Sequence, residues 1–216
     1  MIIGIVGLMG VGKNTVAQYI VDKYGFQQDS FAKPLKDCLS AVFGWDRNML
    51  EGVTEEDRKQ REIVDVWWAE KLGIPDLSPR WAMQHWGTDL VRKRFHTDLW
   101  ARSLENRLMK NIDKNIIISD CRFPNELESI TNLNGVVINV TKGTPEWMEY
   151  AIIYNKGPER NPRWYTAKER LDKFKIHESE IALSGVEADY IIENTGTLEE
   201  LYHRVDSIMI DLGFDK

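Results

Sequence analysis

Apolar residues along this chain gather into short runs separated by longer amphipathic stretches. Ile2-Ile3-Gly4-Ile5-Val6, Asn115 to Ser119, Val136 to Val140 and Asp189 to Glu193 read as strands, and Phe26 to Phe31 as a short second strand. Between them the spacing changes to helical. Residues 13–24 place Val16, Ala17, Ile20 and Val21 on one face. A helix starts at Lys33-Pro34-Leu35 and runs to about Phe43, stopping at Gly44. Residues 54–73 read as one charged amphipathic helix, with Thr54 as N-cap and Gly73 as its stop. Ser78-Pro79 opens another, broken at Gly87, and a further helix spans about Thr97 to Asn111. Thr197 caps a last helix to about Leu212. Strands alternating with helices predict an α/β fold with a doubly wound parallel sheet.

The first strand leads directly into Gly7-Leu8-Met9-Gly10-Val11-Gly12-Lys13-Asn14-Thr15 and then a helix. This strand, glycine loop and helix form the context of a phosphate-binding P-loop. Glycines allow successive backbone N–H groups to turn inward around an anion, and the helix N-terminus adds its positive end. Lys13 supplies a mobile charge for the outer phosphates. The position after Lys13, where most P-loops carry the magnesium-binding Ser or Thr, is Asn14; Thr15 follows. Any metal contact of Asn14 or Thr15 is therefore expected through water. The fold expected is that of the P-loop NTPases, as one domain over residues 1–216. It has a helical insertion at about 45–111 that shapes an acceptor site, and a lid at about 142–176.

Composition narrows the class. The chain has 216 residues, 43% of them hydrophobic, enough for a normal core. No apolar run is long enough for a membrane helix, and the N-terminus enters a strand rather than a signal peptide. Cys38 and Cys121 lie far apart without metal-ligand spacing, which suits reduced thiols in the cytoplasm. A net charge of −6 argues against a nucleic-acid footprint and for a small-molecule acceptor. Six of the eight tryptophans (Trp45, Trp67, Trp68, Trp81, Trp86, Trp100) fall between residues 45 and 100. They read as an aromatic core for the inserted helices, with one or two open to a role beside a nucleobase.

Further polar residues sit where ligands bind in such folds, beyond the carboxyl ends of the strands. Asp120 ends the third strand, the place of a magnesium-shell carboxylate, and Arg122 can clamp phosphate. Glu126 either joins them or caps the following helix. Lys33 and Lys36 can bind an acceptor phosphate, while Gln84, Asp89, Arg92 and Trp100 are candidates for the acceptor pocket. Residues 142–176 are basic within an acidic chain and read as a helix followed by a mobile loop. Arg160, Arg163 and Arg170 would serve there as lid arginines that close over the phosphates. His177-Glu178-Ser179-Glu180 lacks a second histidine at metal spacing, which argues against zinc. Asn194 and Gly196, in the turn after the last strand, are candidates to frame the donor base.

Together these segments resemble the bacteriophage deoxynucleoside monophosphate kinases. The resemblance rests on the loop at 7–15, F-A-x-P-L-K at 31–36, M-Q-x-x-G-T-D-L at 83–90 and D-x-W at 98–100. It continues with D-x-R-x-x-N-E at 120–126, H-x-x-E at 177–180 and N-x-G-T-L-E-E-L at 194–201. It implies a P-loop kinase that moves the γ-phosphoryl group of ATP, with Mg2+, onto a deoxynucleoside monophosphate for DNA precursor synthesis. Lys13, Asp120, Arg122 and Arg163 would be catalytic. Gly10, Val11, Gly12, Lys13, Asn14, Thr15, Asn194 and Gly196 would bind ATP, with Asn14, Thr15 and Asp120 toward the metal. Lys33, Lys36, Gln84, Asp89, Arg92 and Trp100 would hold the acceptor. A phage-encoded protein would work in the host cytoplasm, without membrane, and a homodimer is compatible with the sequence. The rivals are a kinase of dephospho-coenzyme A or phosphomevalonate, a kinase of modified bases in DNA, and a non-catalytic nucleotide-binding module.

Overall fold

The structure is a computed structural model that describes residues 1–159 and 161–215. In chain order the first elements are β1 (Ile2–Val6), α1 (Lys13–Tyr24) and β2 (Gln27–Asp29). A helical block follows: α2 (Lys33–Phe43), α3 (Arg47–Glu51), α4 (Glu55–Gln60), α5 (Val66–Leu72), α6 (Pro79–Gln84), a π-helical stretch His85–Phe95, and α7 (Leu99–Met109). Then come β3 (Ile116–Ile118), α8 (Pro124–Thr131), β4 (Val136–Thr141), α9 (Met148–Lys156), α10 (Pro162–Phe174), α11 (Glu178–Ile181), β5 (Tyr190–Glu193) and α12 (Leu198–Asp211). The chain divides into two compact units, one of residues 1–30 and 105–216, the other of residues 31–104.

The first unit holds a five-stranded sheet in the order β2-β3-β1-β4-β5, and every pairing is parallel. This is the doubly wound P-loop fold expected from the alternating pattern. Ile3 and Ile5 of β1 point into a core with Val16, Ala17 and Ile20 of α1 and Leu201, Val205 and Met209 of α12. Gly4 faces the other side, against Ile130 of α8; a Cβ there would lie 2.5 Å from Ile130 Cδ1, so glycine admits the helix at this crossing. β1 is flanked by β3 on one side and β4 on the other, so its carboxyl end is the switch point where such sheets bind ligands. The far end of α1 is tied to α12: Asp206 accepts from the hydroxyls of Tyr19 at 2.9 Å and Tyr24 at 2.7 Å, and pairs with Lys23 at 2.8 Å. Among the described residues no helix is long and apolar enough to cross a membrane.

The second unit has its own core of Leu35, Leu39, Phe43, Trp45, Leu50, Leu77 and Ala82, with Trp68, Trp81, Trp86 and Trp100 packed on it. The rings interlock, Phe43 stacking on Trp45 at 4.3 Å and meeting Trp68 edge-on at 5.1 Å. Trp67, by contrast, is exposed.

Three stretches differ from the pattern-based expectation. Residues 54–73 are two helices, not one. Thr54 and Asp57 form a capping box for α4, but Asp65 then caps α5, accepting from the Trp68 N–H at 3.2 Å and from the Trp45 indole at 2.8 Å. The helix entered at Ser78 does not stop at Gly87; it widens into the π-helical stretch. The Gly87 carbonyl accepts from the Trp100 indole at 2.9 Å, and a Cβ on Gly87 would come within 2.9 Å of Leu35. The expected loop after α9 is largely α10, which starts at Pro162 behind the Asn161 cap and buries Ala167 and Leu171. α10 folds back on α9, with the Trp164 indole donating to the Tyr154 carbonyl at 3.0 Å.

Candidate functional site

The loop between β1 and α1 has the backbone that anion binding needs. Gly10 and Gly12 adopt positive φ of 80° and 104°, and α1 begins without a side-chain cap, so its first N–H groups are left for a ligand. Glycine at 12 also meets a space constraint: a Cβ would sit 2.5 Å from the side-chain nitrogen of Asn194. That amide donates to the Val11 carbonyl at 2.8 Å, so the turn after β5 is fastened to the phosphate loop. Asn194 thus meets the loop through its side chain. Gly196 follows in the same exposed turn, and Asn14 and Thr15 are exposed on the first turn of α1.

Lys13 curls back over the loop, its Nζ donating to the carbonyls of Gly7 at 2.8 Å and Leu8 at 2.7 Å. Burial lowers its pKa to about 8, and the Arg122 guanidinium adds to the fall; the carboxylates of Glu180 and Asp120 pull the other way. Lys13, Asp120, Arg122 and Glu180 therefore share one electrostatic neighbourhood at the carboxyl ends of β1 and β3.

Asp120 is half-buried two residues beyond β3, and Arg122 follows on the turn into α8. Glu126 shapes that turn. It is 4% exposed and its Oε2 accepts from the backbone N–H groups of Arg122 at 2.8 Å and Phe123 at 3.1 Å. Of its two expected roles, these contacts are those of a helix cap, which holds the Arg122 backbone. The Arg122 side chain donates to Glu180 Oε1 at 2.9 Å. Glu180 Oε2 in turn accepts from the Met9 N–H of the phosphate loop at 2.8 Å. This contact joins residues 171 positions apart, and the spacing of His177 and Glu180 gave no sign of it.

A cavity of about 550 Å³ opens beside the loop, lined by Gly7, Leu8, Arg122, Thr141, Glu180 and Ser184 among others. Arg163 is exposed on the first turn of α10, and Arg170 is exposed further along it; Arg160 lies outside the described residues.

The acceptor candidates lie in the second unit. Lys36 is buried and its Nζ pairs with Glu51 at 2.6 Å, while Glu51 also holds Arg47 at 2.7 Å. Asp89 accepts from Lys93 at 2.8 Å and meets His85 Nδ1 at 3.2 Å, and the Lys93 contact leads in holding its carboxyl below the usual range. Trp100 spends its indole N–H on Gly87. Lys33 and Gln84 are exposed, and Arg92 is half-buried on the π-helical stretch, with Nη1 3.4 Å from the Thr97 carbonyl. The unit thus gathers these residues on α2, α6, the π-helical stretch and α7, several of them already paired with neighbours.

The sequence model of the deoxynucleotide monophosphate kinase family matches residues 50–152. A protein of Acanthamoeba polyphaga mimivirus assigned as a deoxynucleotide monophosphate kinase is 28% identical, over 96% of this chain and 95% of its own length. The deoxynucleoside-5'-monophosphate kinase of Escherichia phage T5 is 25% identical, over 81% of this chain and 90% of its own. Among solved structures, dephospho-CoA kinase from Campylobacter jejuni aligns at a TM-score of 0.46 and 16% identity, covering 98% of this chain and 96% of that one. Shikimate kinase from Aquifex aeolicus aligns at 0.43 and 12%, covering 99% and 96%. The fold rests on the sheet order and phosphate loop rather than on these distant superpositions. The resemblance carried by the motifs is matched by sequence along nearly the whole chain, which is similar to deoxynucleoside monophosphate kinases.

Proposed function

We propose that the protein transfers the γ-phosphoryl group of ATP to a deoxynucleoside monophosphate. The observation that carries this reading is the phosphate loop with Lys13 folded over it, in a chain whose relatives bear that activity in their names. The loop N–H groups and the head of α1 would take the donor phosphates. Lys13 would leave the Gly7 and Leu8 carbonyls for the outer phosphate oxygens, where its positive charge offsets charge developing in transfer. Arg122 would bind the transferring or acceptor phosphate, and Arg163 would approach from the lid. Asn194 would hold the loop in shape beneath the nucleotide, with Gly196 beside it.

The acceptor phosphate is already an anionic nucleophile, so orientation and charge neutralisation do the work and no strong base is required. Lys33, Lys36, Gln84, Asp89, Arg92 and Trp100 would receive the acceptor, the paired ones by exchanging a neighbour for the ligand.

Mg2+ suits the donor set. Among the described residues no three His, Cys, Asp or Glu side chains converge, and Mg2+ is held by one or two carboxylates together with substrate phosphates and water. Asp120 would supply the carboxylate, with Asn14 and Thr15 meeting the ion through water. Bound there, the ion would neutralise charge on the β- and γ-phosphates.

The test is turnover of ATP with each deoxynucleoside and ribonucleoside monophosphate, for wild type and Lys13→Ala. Diphosphate should form from at least one deoxynucleotide, and the variant should fall by roughly two orders of magnitude or more. Wild type that turns over none of them would overturn the reading.

A further inference from the structure

An acid beside an anion site has no part in phosphoryl transfer as set out above, yet Glu180 sits there with both oxygens engaged. Oε2 accepts from the Met9 N–H of the phosphate loop at 2.8 Å, and Oε1 accepts from Arg122 at 2.9 Å. Arg122 also lies 3.4 Å from the Ser179 hydroxyl. The Glu180 side chain is 18% exposed, so these are not loose surface contacts. A loop amide and a neighbouring guanidinium are the two kinds of donor a nucleotide phosphate would use.

We propose that Glu180 is an internal stand-in for a donor phosphate, which a nucleotide must displace to enter. The inference rests on the proposed role of the 7–15 loop in holding ATP. The carboxylate and an incoming phosphate want the same donors and repel each other at that range. In the free protein Glu180, together with Asp120, offsets the cationic neighbourhood of Lys13 and Arg122. On entry, the phosphates take over that role.

The displaced residue belongs to an element that can transmit the event. Glu180 lies on α11, a single turn of helix that His177 caps by accepting the Ser179 N–H at 3.2 Å. α11 hangs from α9, whose Asn155 donates to the carbonyls of Ile181 at 2.6 Å and Ser184 at 3.1 Å. α9 in turn packs on α10, the helix that carries Arg163. Release of Glu180 therefore frees the base of the α9–α10 hairpin in the same step that fills the phosphate loop.

If the latch is closed nine-tenths of the time, it weakens apparent affinity about tenfold, because only the open fraction binds. Isothermal titration with inorganic tripolyphosphate and with ADP reads this without turnover. Glu180→Ala should bind tripolyphosphate about tenfold more tightly than wild type. Glu180→Gln, nearly the same size, should move in the same direction and guards against a packing defect. Hydrogen exchange gives a second readout: residues 178–184 should exchange faster in wild type once tripolyphosphate is bound. In Glu180→Ala they should exchange fast from the start, with no further change. Equal or weaker binding by both folded variants, with wild type binding normally, would overturn the stand-in role and leave Glu180 as a positioning residue for Arg122. No binding by wild type or either variant would overturn the ATP-site reading itself.

Discussion

The side-chain amide of Asn194 donates to the Val11 carbonyl at 2.8 Å, joining the turn after the last strand to the phosphate loop across 183 positions of sequence. The same nitrogen fills the space that a Cβ on Gly12 would need. The loop therefore has a wall behind it, and its open backbone shape is held before any nucleotide arrives. Losing such a hydrogen bond costs about 1 kcal/mol. Asn194→Ala should weaken ADP binding roughly fivefold and lower the melting temperature by a few degrees. Calorimetric titration with a thermal melt checks this, and unchanged affinity would show that the loop keeps its shape unaided.

Lys13 gives a pH signature. Its pKa in the free protein falls to about 8 from an ordinary 10.5, through burial first and the nearby Arg122 second. Between those two values the unfolded chain holds more protons than the folded one. This residue therefore makes the free protein gain stability as pH rises from about 8 to 10.5. Anionic phosphates beside the ammonium push the pKa back up. ADP binding at pH 9 should thus take up close to one proton, and at pH 7 almost none. Titration in buffers of different ionisation enthalpy counts the protons, and Lys13→Met should abolish the uptake at pH 9. Identical counts in wild type and variant would assign the proton to another group.

Asp120 stands at the end of β3 within the electrostatic reach of Lys13. Asp120→Asn keeps the shape and removes the charge. Turnover should fall, and the Mg2+ concentration for half-maximal activity should rise several-fold, because the ion loses its one carboxylate. A Mg2+ titration curve that keeps its midpoint would move the ion's protein contact to Asn14 or Thr15.

The parts that were legible from sequence are those whose causes are local. An apolar run, three glycines and a lysine specify β1, the loop and α1 within 24 residues, and α1 begins and ends where the pattern placed it. The stretch 142–176 was partly legible: Trp164, Ala167 and Leu171 carry a helical spacing that its charge and prolines obscured. The split at residues 61–65 was harder. Asp65 reads as one more charge on a charged helix; it caps α5 by accepting from the Trp68 N–H, and its second bond, to the Trp45 indole, is set by tertiary packing. Glu180 was beyond reach for the same reason. Its partners are Met9 and Arg122, and nothing in the residues around it encodes their approach.

Asp206 anchors Tyr19, Tyr24 and Lys23 at the far end of the helix whose other end follows the glycine loop. The helix carrying Asp206 follows every strand in the chain. During synthesis the phosphate loop precedes α12, and its supporting helix lacks this brace until α12 has left the ribosome. The nascent chain would then carry the glycine loop on an unbraced scaffold while the strands between are made. The full brace on the helix behind the phosphate loop would thus form only once α12 is made, so a chain truncated before α12 would carry that loop on a looser scaffold.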